Sequence, residues 1–405
     1  MFNKVTVLRA ATFLGVLDAF SILLLVLFYR SGVDLVFLVN INFILILFML
    51  GVGSIGIPLR TFYTNKYIFF TSILLLIAVV KLFIAAILNT ELIDKFIFTH
   101  FYSIFLILFS FLFVERFALS DYILVLTNFR KYAFYYLIIS CVSLLIYIYL
   151  YHTGKIAYFG MGSNLHYVFP FFIKNSFFLF ALLLALIIAS GKRAVLINII
   201  LQYAIYALYR YKERKGTLII ITLGLVITIF YFAFETETFY RFKGIFNVDF
   251  NDRYSTLIAF GGRYEEILSI FDFLKNHPFS LLFGASPGDS YHFVLNSSDY
   301  FGIQSNDYDE QRNVAHVSLF TLVFMHGVIF STIICLYAIY YTIKYYKPTF
   351  ELYLVFVGIL ISSFFGANLF RDPMSWIFIA FFIKFKRVAL LPCSPDDKII
   401  KRGLK

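Results

Sequence analysis

Runs of about 20 apolar residues recur along most of this chain, and that recurrence limits its fold more than any other feature. A run of this length crosses a roughly 30 Å hydrocarbon core as one helix. The runs fall at 10–28, 33–57, 68–88, 96–114, 133–151, 169–189, 194–209, 217–234, 327–344, 349–370 and 372–387. They are apolar all round, which excludes a transmembrane β-barrel, whose strands alternate over about 10 residues. Composition agrees: 61% of the residues are hydrophobic and 14% charged, with a mean hydropathy of +0.86. Soluble domains carry about 45–50% apolar and about 25% charged residues. The expected fold is an all-α polytopic membrane protein with about 11–12 transmembrane helices. The upper count holds if 115–132 is a further span and not an interfacial amphipathic helix. The first run lacks a small-residue cleavage site and reads as a retained span.

The formal net charge of +11 follows the membrane rule and not a nucleic-acid surface, because Lys and Arg sit between and beside the apolar runs. The tail after Ile383 and the segment Arg210–Gly216 (RYKERKG) are basic, which places both, and the C-terminus, in the cytoplasm. Residues 235–312 are the one long hydrophilic stretch. They hold twelve acidic and six basic residues, a net −6 against +17 for the rest, and are expected on the opposite, extracytoplasmic face. The chain divides into N-terminal spans 1–234, a large loop 235–313, a short re-entrant helix with C-terminal spans 314–387, and a tail 388–405. Counting spans back from the loop puts the N-terminus outside, whereas Lys4 and Arg9 favour inside. A crossing at 115–132 would reconcile the two.

Within the loop, Gly261-Gly262 precede Arg263, and an amphipathic pattern follows at Ile267, Ile270, Phe271 and Leu274. Pro278 ends that helix, and a small-residue turn comes after it at 284–288. An Arg at a helix start suits a phosphate, since backbone N–H groups and a bidentate guanidinium converge there. The other reading is a surface Arg pairing with Glu265 or Glu266. The loop re-enters apolar sequence through Arg312 and His316, in a half-helix that breaks at His326-Gly327. His316 has the character of an acid/base group or of a wetted interfacial His, and His326 reads as structural. Ser190-Gly191-Lys192-Arg193 is either an inner anchor or, facing outward, a second arginine near the loop. Of the ionisable residues inside spans (Asp18, Lys81, Lys174), Lys81 and Lys174 show no acidic partner and can snorkel. Three cysteines without framework or ligand spacing, and the absence of HExxH, CxxC or a Gly-rich phosphate loop, leave no expected metal or cofactor.

The order of these features resembles the O-antigen polymerase and O-antigen ligase superfamily (Wzy-type polymerases and their relatives). The residues that carry the resemblance are Ser190–Arg193, Gly262-Arg263 with Pro278, Phe283-Gly284 and Gly288, and His316 followed by Gly327-Val328-Ile329. It covers roughly residues 160–345. Two departures stand out: Val317 follows the His where relatives often have Asn, and an Arg-x10-Gly pattern of some polymerases is absent. The resemblance implies a metal-independent glycosyl transfer at the periplasmic face of the bacterial inner membrane. The donor would be an oligosaccharide on undecaprenyl pyrophosphate, and the acceptor a sugar hydroxyl of another lipid-linked repeat unit. Arg263, with Arg193 or Arg312, would bind the pyrophosphate. His316 would be the base, with Glu265 or Glu266 in reserve, and Tyr254, Tyr264 and Tyr291 would stack on sugars. Expected partners are membrane lipids, a chain-length regulator and a flippase, and no nucleic acid. The nearest alternative is a ligase transferring glycan to lipid A–core. A polysaccharide flippase is disfavoured by the single acidic loop, which has no counterpart in the first half.

Overall fold

A computed structural model describes residues 3–27, 36–87, 94–153, 165–173, 193–210, 248–252, 255, 263–295, 308–315, 317–347, 351–365 and 372–386. The long apolar runs form helices α1 (Lys4–Leu27), α2 (Val36–Ser54), α4 (Lys66–Ile87), α5 (Asp94–Glu115) and α6 (Tyr122–His152), with a short α3 (Arg60–Thr64) before α4. After the four-residue α7 (Leu165–Val168) come α8 (Arg193–Arg210), α9 (Arg263–Asn276) and α10 (Pro278–Phe283). Strands β1 (Tyr291–Leu295) and β2 (Tyr308–Arg312) precede α11 (Ser318–Lys344), α12 (Glu351–Phe365) and α13 (Pro373–Phe385). Among the described residues, α4, α5 and α11 are long and apolar enough to cross a membrane, and several shorter apolar helices accompany them. The described residues form a mostly helical, membrane-type bundle carrying a small β-ribbon.

The polar residues at the helix ends show which ends meet. Lys4 donates to Asp121 and to the Arg116 carbonyl, and Arg116 donates to the Gly53 carbonyl. Glu115 pairs with Lys384 at 2.9 Å and accepts from Asn65. Arg130 pairs with Glu351 at 2.9 Å. The start of α1, the end of α2, the start of α4, the end of α5 and the end of α13 therefore share one end, here termed basal. Tyr209 near the end of α8 meets Tyr346, with ring centroids 6.1 Å apart, so α8 also ends there and Arg193 begins it at the far end. Lys4 and Lys384 thus lie at the same end of the bundle.

The segment 115–132 differs from its expectation as a possible extra crossing. Residues 122–132 are the first turns of the 31-residue α6, continuous with 133–151. α6 starts at the basal end and runs parallel to α1, with Gly15 packed close to Tyr132, and α8 starts at the end to which α6 points. α7 and the following turn Phe169–Phe171 are buried within the bundle, and most of the run 169–189 lies outside the described residues.

A short polar tract links these buried pieces. Asn198 donates to the Gly358 carbonyl at 2.7 Å and to Ser362, and Gln202 donates to the His166 carbonyl at 3.0 Å. A Cβ on Gly358 would come within 1.8 Å of the Gln202 amide nitrogen, so the missing side chain is what admits the amide pair. Between helices in lipid, small residues and side-chain amides are the usual means of close contact.

Candidate functional site

At the far end of the bundle, residues 263–295, 308–315 and 317–326 build a cap. α9 opens at Arg263, and Pro278 occupies the first turn of α10, where its missing N–H costs nothing. Ile270 and Leu274 turn inward against Phe324, Met325, Tyr291 and Phe293. β1 and β2 pair antiparallel, with Tyr291 opposite Arg312 and Phe293 opposite Glu310. Alternation along β1 sends Tyr291 and Phe293 to the core.

That register brings three expected site residues together, Glu266, Tyr291 and Arg312. Glu266, 1% exposed, accepts from the Tyr291 hydroxyl at 3.1 Å and pairs with Arg312 at 3.1 Å. The Arg312 guanidinium also lies 4.1 Å from the centre of the Phe293 ring. Arg263 stands one turn before Glu266, half-buried at the helix start. Tyr264 is half-buried and packs against Phe250, and both carboxylate oxygens of Glu265 are enclosed with no hydrogen-bond partner among the described residues. Tyr291 faces inward: its ring packs edge-on against Phe324 at 5.2 Å. Arg193 begins α8 at this same end, but its side chain lies outside the described part, as do His316 and Tyr254.

The cap is joined to the bundle through backbone. α11 breaks at Gly327 (φ 75°), and α10 ends at Gly284 (φ 88°). A Cβ on Gly284 would lie 2.2 Å from the Met325 carbonyl oxygen, and one on Gly327 would lie 2.2 Å from that of Leu282. The Ala285 N–H donates to the Phe324 carbonyl at 2.7 Å. Two helix C-termini thus converge, leaving carbonyls that need a donor. Lys81 of α4 supplies it, with its ammonium 2.5 Å from the Phe283 oxygen, 2.8 Å from that of Gly284 and 3.4 Å from that of Ala285. The position suits a cation, because the negative ends of helix dipoles point at it. Replacing Lys81 with Met is expected to cost about 1.5–3 kcal/mol and to expose residues 277–290 to protease. Limited proteolysis with thermal unfolding of Lys81→Met and Lys81→Arg measures this, the arginine retaining most of the protection.

Beside Lys81 the buried rings of His100 and His326 lie 5.6 Å apart. Lys81, His100 and His326 each lie fifteen positions along their helix from a residue at the basal end: Lys66 to Lys81, Glu115 back to His100, Tyr341 back to His326. At 1.5 Å per residue the three are level, roughly 22 Å from that end. Asp289, in the following turn, accepts from the Ser286 N–H at 2.7 Å. Its carboxyl is held above the usual range because burial disfavours the ion, an effect that the Ser286 bond and the charges of His277 and Lys81 oppose. His326 also borders an apolar cavity of about 230 Å³ lined by Leu74, Ile107, Leu322, Ile334 and Trp376.

Sequence reasoning missed His100, the one histidine in an apolar run, and it read His326 only as structural. It also missed Asp372, which caps α13. Its carboxylate accepts from the Met374 N–H at 3.0 Å and from Ser375 at 2.6 Å, and the Ser375 oxygen lies 2.5 Å from the hydroxyl of the buried Tyr167. The Asp-Pro pair at 372–373 was the available signal, as an N-cap followed by Pro at the first helical position. Among the described residues no group of three His, Cys, Asp or Glu stands together as a metal site. Compared with protein-family models, with curated proteins and with solved structures, the chain matches none.

Proposed function

We propose that the chain is a membrane glycosyltransferase that polymerises lipid-linked oligosaccharide repeat units, in the manner of an O-antigen polymerase. One observation carries this reading. Arg263 stands at a helix start on one end of a membrane-type bundle, a turn from the Glu266–Arg312 pair and at the same end as Arg193. A pyrophosphate leaving group develops negative charge that fixed cations stabilise, and an arginine at a helix N-terminus offers both a guanidinium and backbone donors. Arg263 and Arg193 would hold the pyrophosphate. Arg312, its charge balanced by Glu266, would keep the ribbon in place beside them. His316 would accept the acceptor hydroxyl's proton, with Glu265 in reserve, and Tyr254 and Tyr264 would meet the sugars. The apolar cavity beneath His326 suits part of an isoprenoid chain. The cap would face the periplasm and both chain ends the cytoplasm of a bacterial inner membrane, with undecaprenyl-pyrophosphate-linked glycan as substrate and a flippase and chain-length regulator as partners.

Asp372 supports a second reading. Ionisable groups between membrane helices often mark ion or substrate paths, and the half-buried Asp372 bonds to Ser375, which touches Tyr167.

The surface-glycan ladder of a deletion strain, complemented with wild type or Arg263→Ala, tests both readings. A polymerase leaves core plus one repeat unit on deletion, and wild type restores the ladder while Arg263→Ala, expressed at the same level, does not. Full-length polymer from Arg263→Ala would remove the pyrophosphate role. Loss of all attached glycan with lipid-linked polymer accumulating would identify a ligase, and an unchanged ladder would favour transport.

A further inference from the structure

The six-residue α10 turns an apolar face away from the cap. Phe279, Leu282 and Phe283 follow the i, i+3, i+4 spacing of one helix face, and they are 81%, 45% and 44% exposed. The segment belongs to the hydrophilic stretch 235–312, so such a face is out of keeping with its surroundings.

The depth of α10 along the bundle is set by two independent contacts. Its last carbonyl, that of Phe283, and those of Gly284 and Ala285 meet Lys81 of α4. Gly284 also backs onto Met325 and His326, and the His326 ring faces His100 of α5. Lys81 stands six residues before the end of α4 at Ile87, and His100 six residues after the start of α5 at Asp94. Six residues are about 9 Å of helix, so α10 ends about 9 Å inside the layer that α4 and α5 cross. At this level α4 is itself exposed through Val80, Phe83 and Ile84. Lys81, flanked by Val80 and Ile84, reaches α10, so the two apolar surfaces adjoin.

The backbone at the end of α10 points to the same surroundings. In hydrocarbon every backbone polar group needs a partner from the protein, whereas a helix end in water takes its partners from solvent. Here the Gly284 N–H donates to the Ser280 carbonyl, the Ala285 N–H to that of Phe324, and the carbonyls of residues 283–285 receive an ammonium from a membrane-type helix. Amphipathic helices at a membrane surface bury their apolar face about 5–10 Å into the boundary of headgroups and acyl chains, which matches the depth of α10.

We propose that α10 is embedded in the leaflet at the capped end, with Phe279, Leu282 and Phe283 against lipid acyl chains and Lys81 closing its carbonyl end. The hydrophilic stretch thus dips back into the membrane at residues 278–284. This holds whether or not the chain is a polymerase.

The test is fluorescence quenching of the full chain in phosphatidylcholine vesicles. The protein has one tryptophan, Trp376, so wild type is read in parallel and subtracted. F279W adds a reporter on the apolar face, and Q311W one on the exposed edge of the ribbon. Lipid brominated at mid-chain is expected to remove about half of the F279W emission and iodide almost none. Q311W is expected to show the reverse. F283W reports on the same face where F279W is not recovered folded. Iodide quenching of F279W equal to that of Q311W would place α10 in water. Shielding from both quenchers would place a protein surface over it, such as a second copy of the chain. Either result would overturn the proposal.

Discussion

Alanine at Gly284 or Gly327 is expected to detach the cap from the bundle, at a cost on the order of 4 kcal/mol or more. Both glycines hold positive φ, a region that costs a residue with a Cβ about 1–2 kcal/mol by itself. Each added Cβ would also overlap backbone and not a movable side chain, 2.2 Å from the carbonyl oxygen of Met325 or of Leu282. Neither chain can yield without undoing the Ala285-to-Phe324 hydrogen bond and the three carbonyl contacts of Lys81. Gly51→Ala is the matched control, because its Cβ would meet the Phe109 ring at 3.5 Å, an ordinary contact. Thermal unfolding and protease protection of residues 263–295 separate the cases. Wild-type protection in Gly327→Ala would show that the two backbones do not meet as described.

Arg312→Ala is expected to destabilise the cap by about 3–5 kcal/mol, because it breaks a 3.1 Å ion pair whose carboxylate is 1% exposed. The double change Glu266→Gln with Arg312→Met removes both charges and keeps the volume over Phe293, so it is expected to recover most of the loss. Unfolding of the two single variants and the double closes the cycle. Equal and additive losses would mean that the pair is not coupled. In the proposed reaction the pair holds the ribbon and Arg263 meets substrate, so the double variant is expected to keep polymer length while Arg263→Ala loses it.

The two ways of joining the cap differ in how visible they are in the sequence. Gly284 and Gly327 are visible as a turn and a helix break, since each follows an apolar helical stretch and frees the backbone. That they meet is not visible, because 42 positions of chain separate 284 from 327 and no local pattern links them. Lys81 reads as a lysine without an acid. Its partners are main-chain carbonyls, which every residue carries and no sequence marks. β2 (YDEQR) has neither the β-branched residues nor the alternation of a strand. It becomes one only by pairing with β1, which also sets Arg312 beside Glu266.

Hydropathy by itself determined the membrane-type helical bundle and the boundaries of most helices, because burying a helix in lipid depends on the local run of side chains and on little else. Charge likewise marked residues 235–312 as unlike the rest. Only the tertiary structure decided that α6 is one helix from Tyr122 to His152, that Lys4 and Lys384 share an end, and that Arg312 belongs to Glu266. It alone set His100 against His326 at the level of Lys81. These are relations between elements far apart in the chain, and their free energy comes from packing, dipoles and ion pairs that exist only once the helices have met.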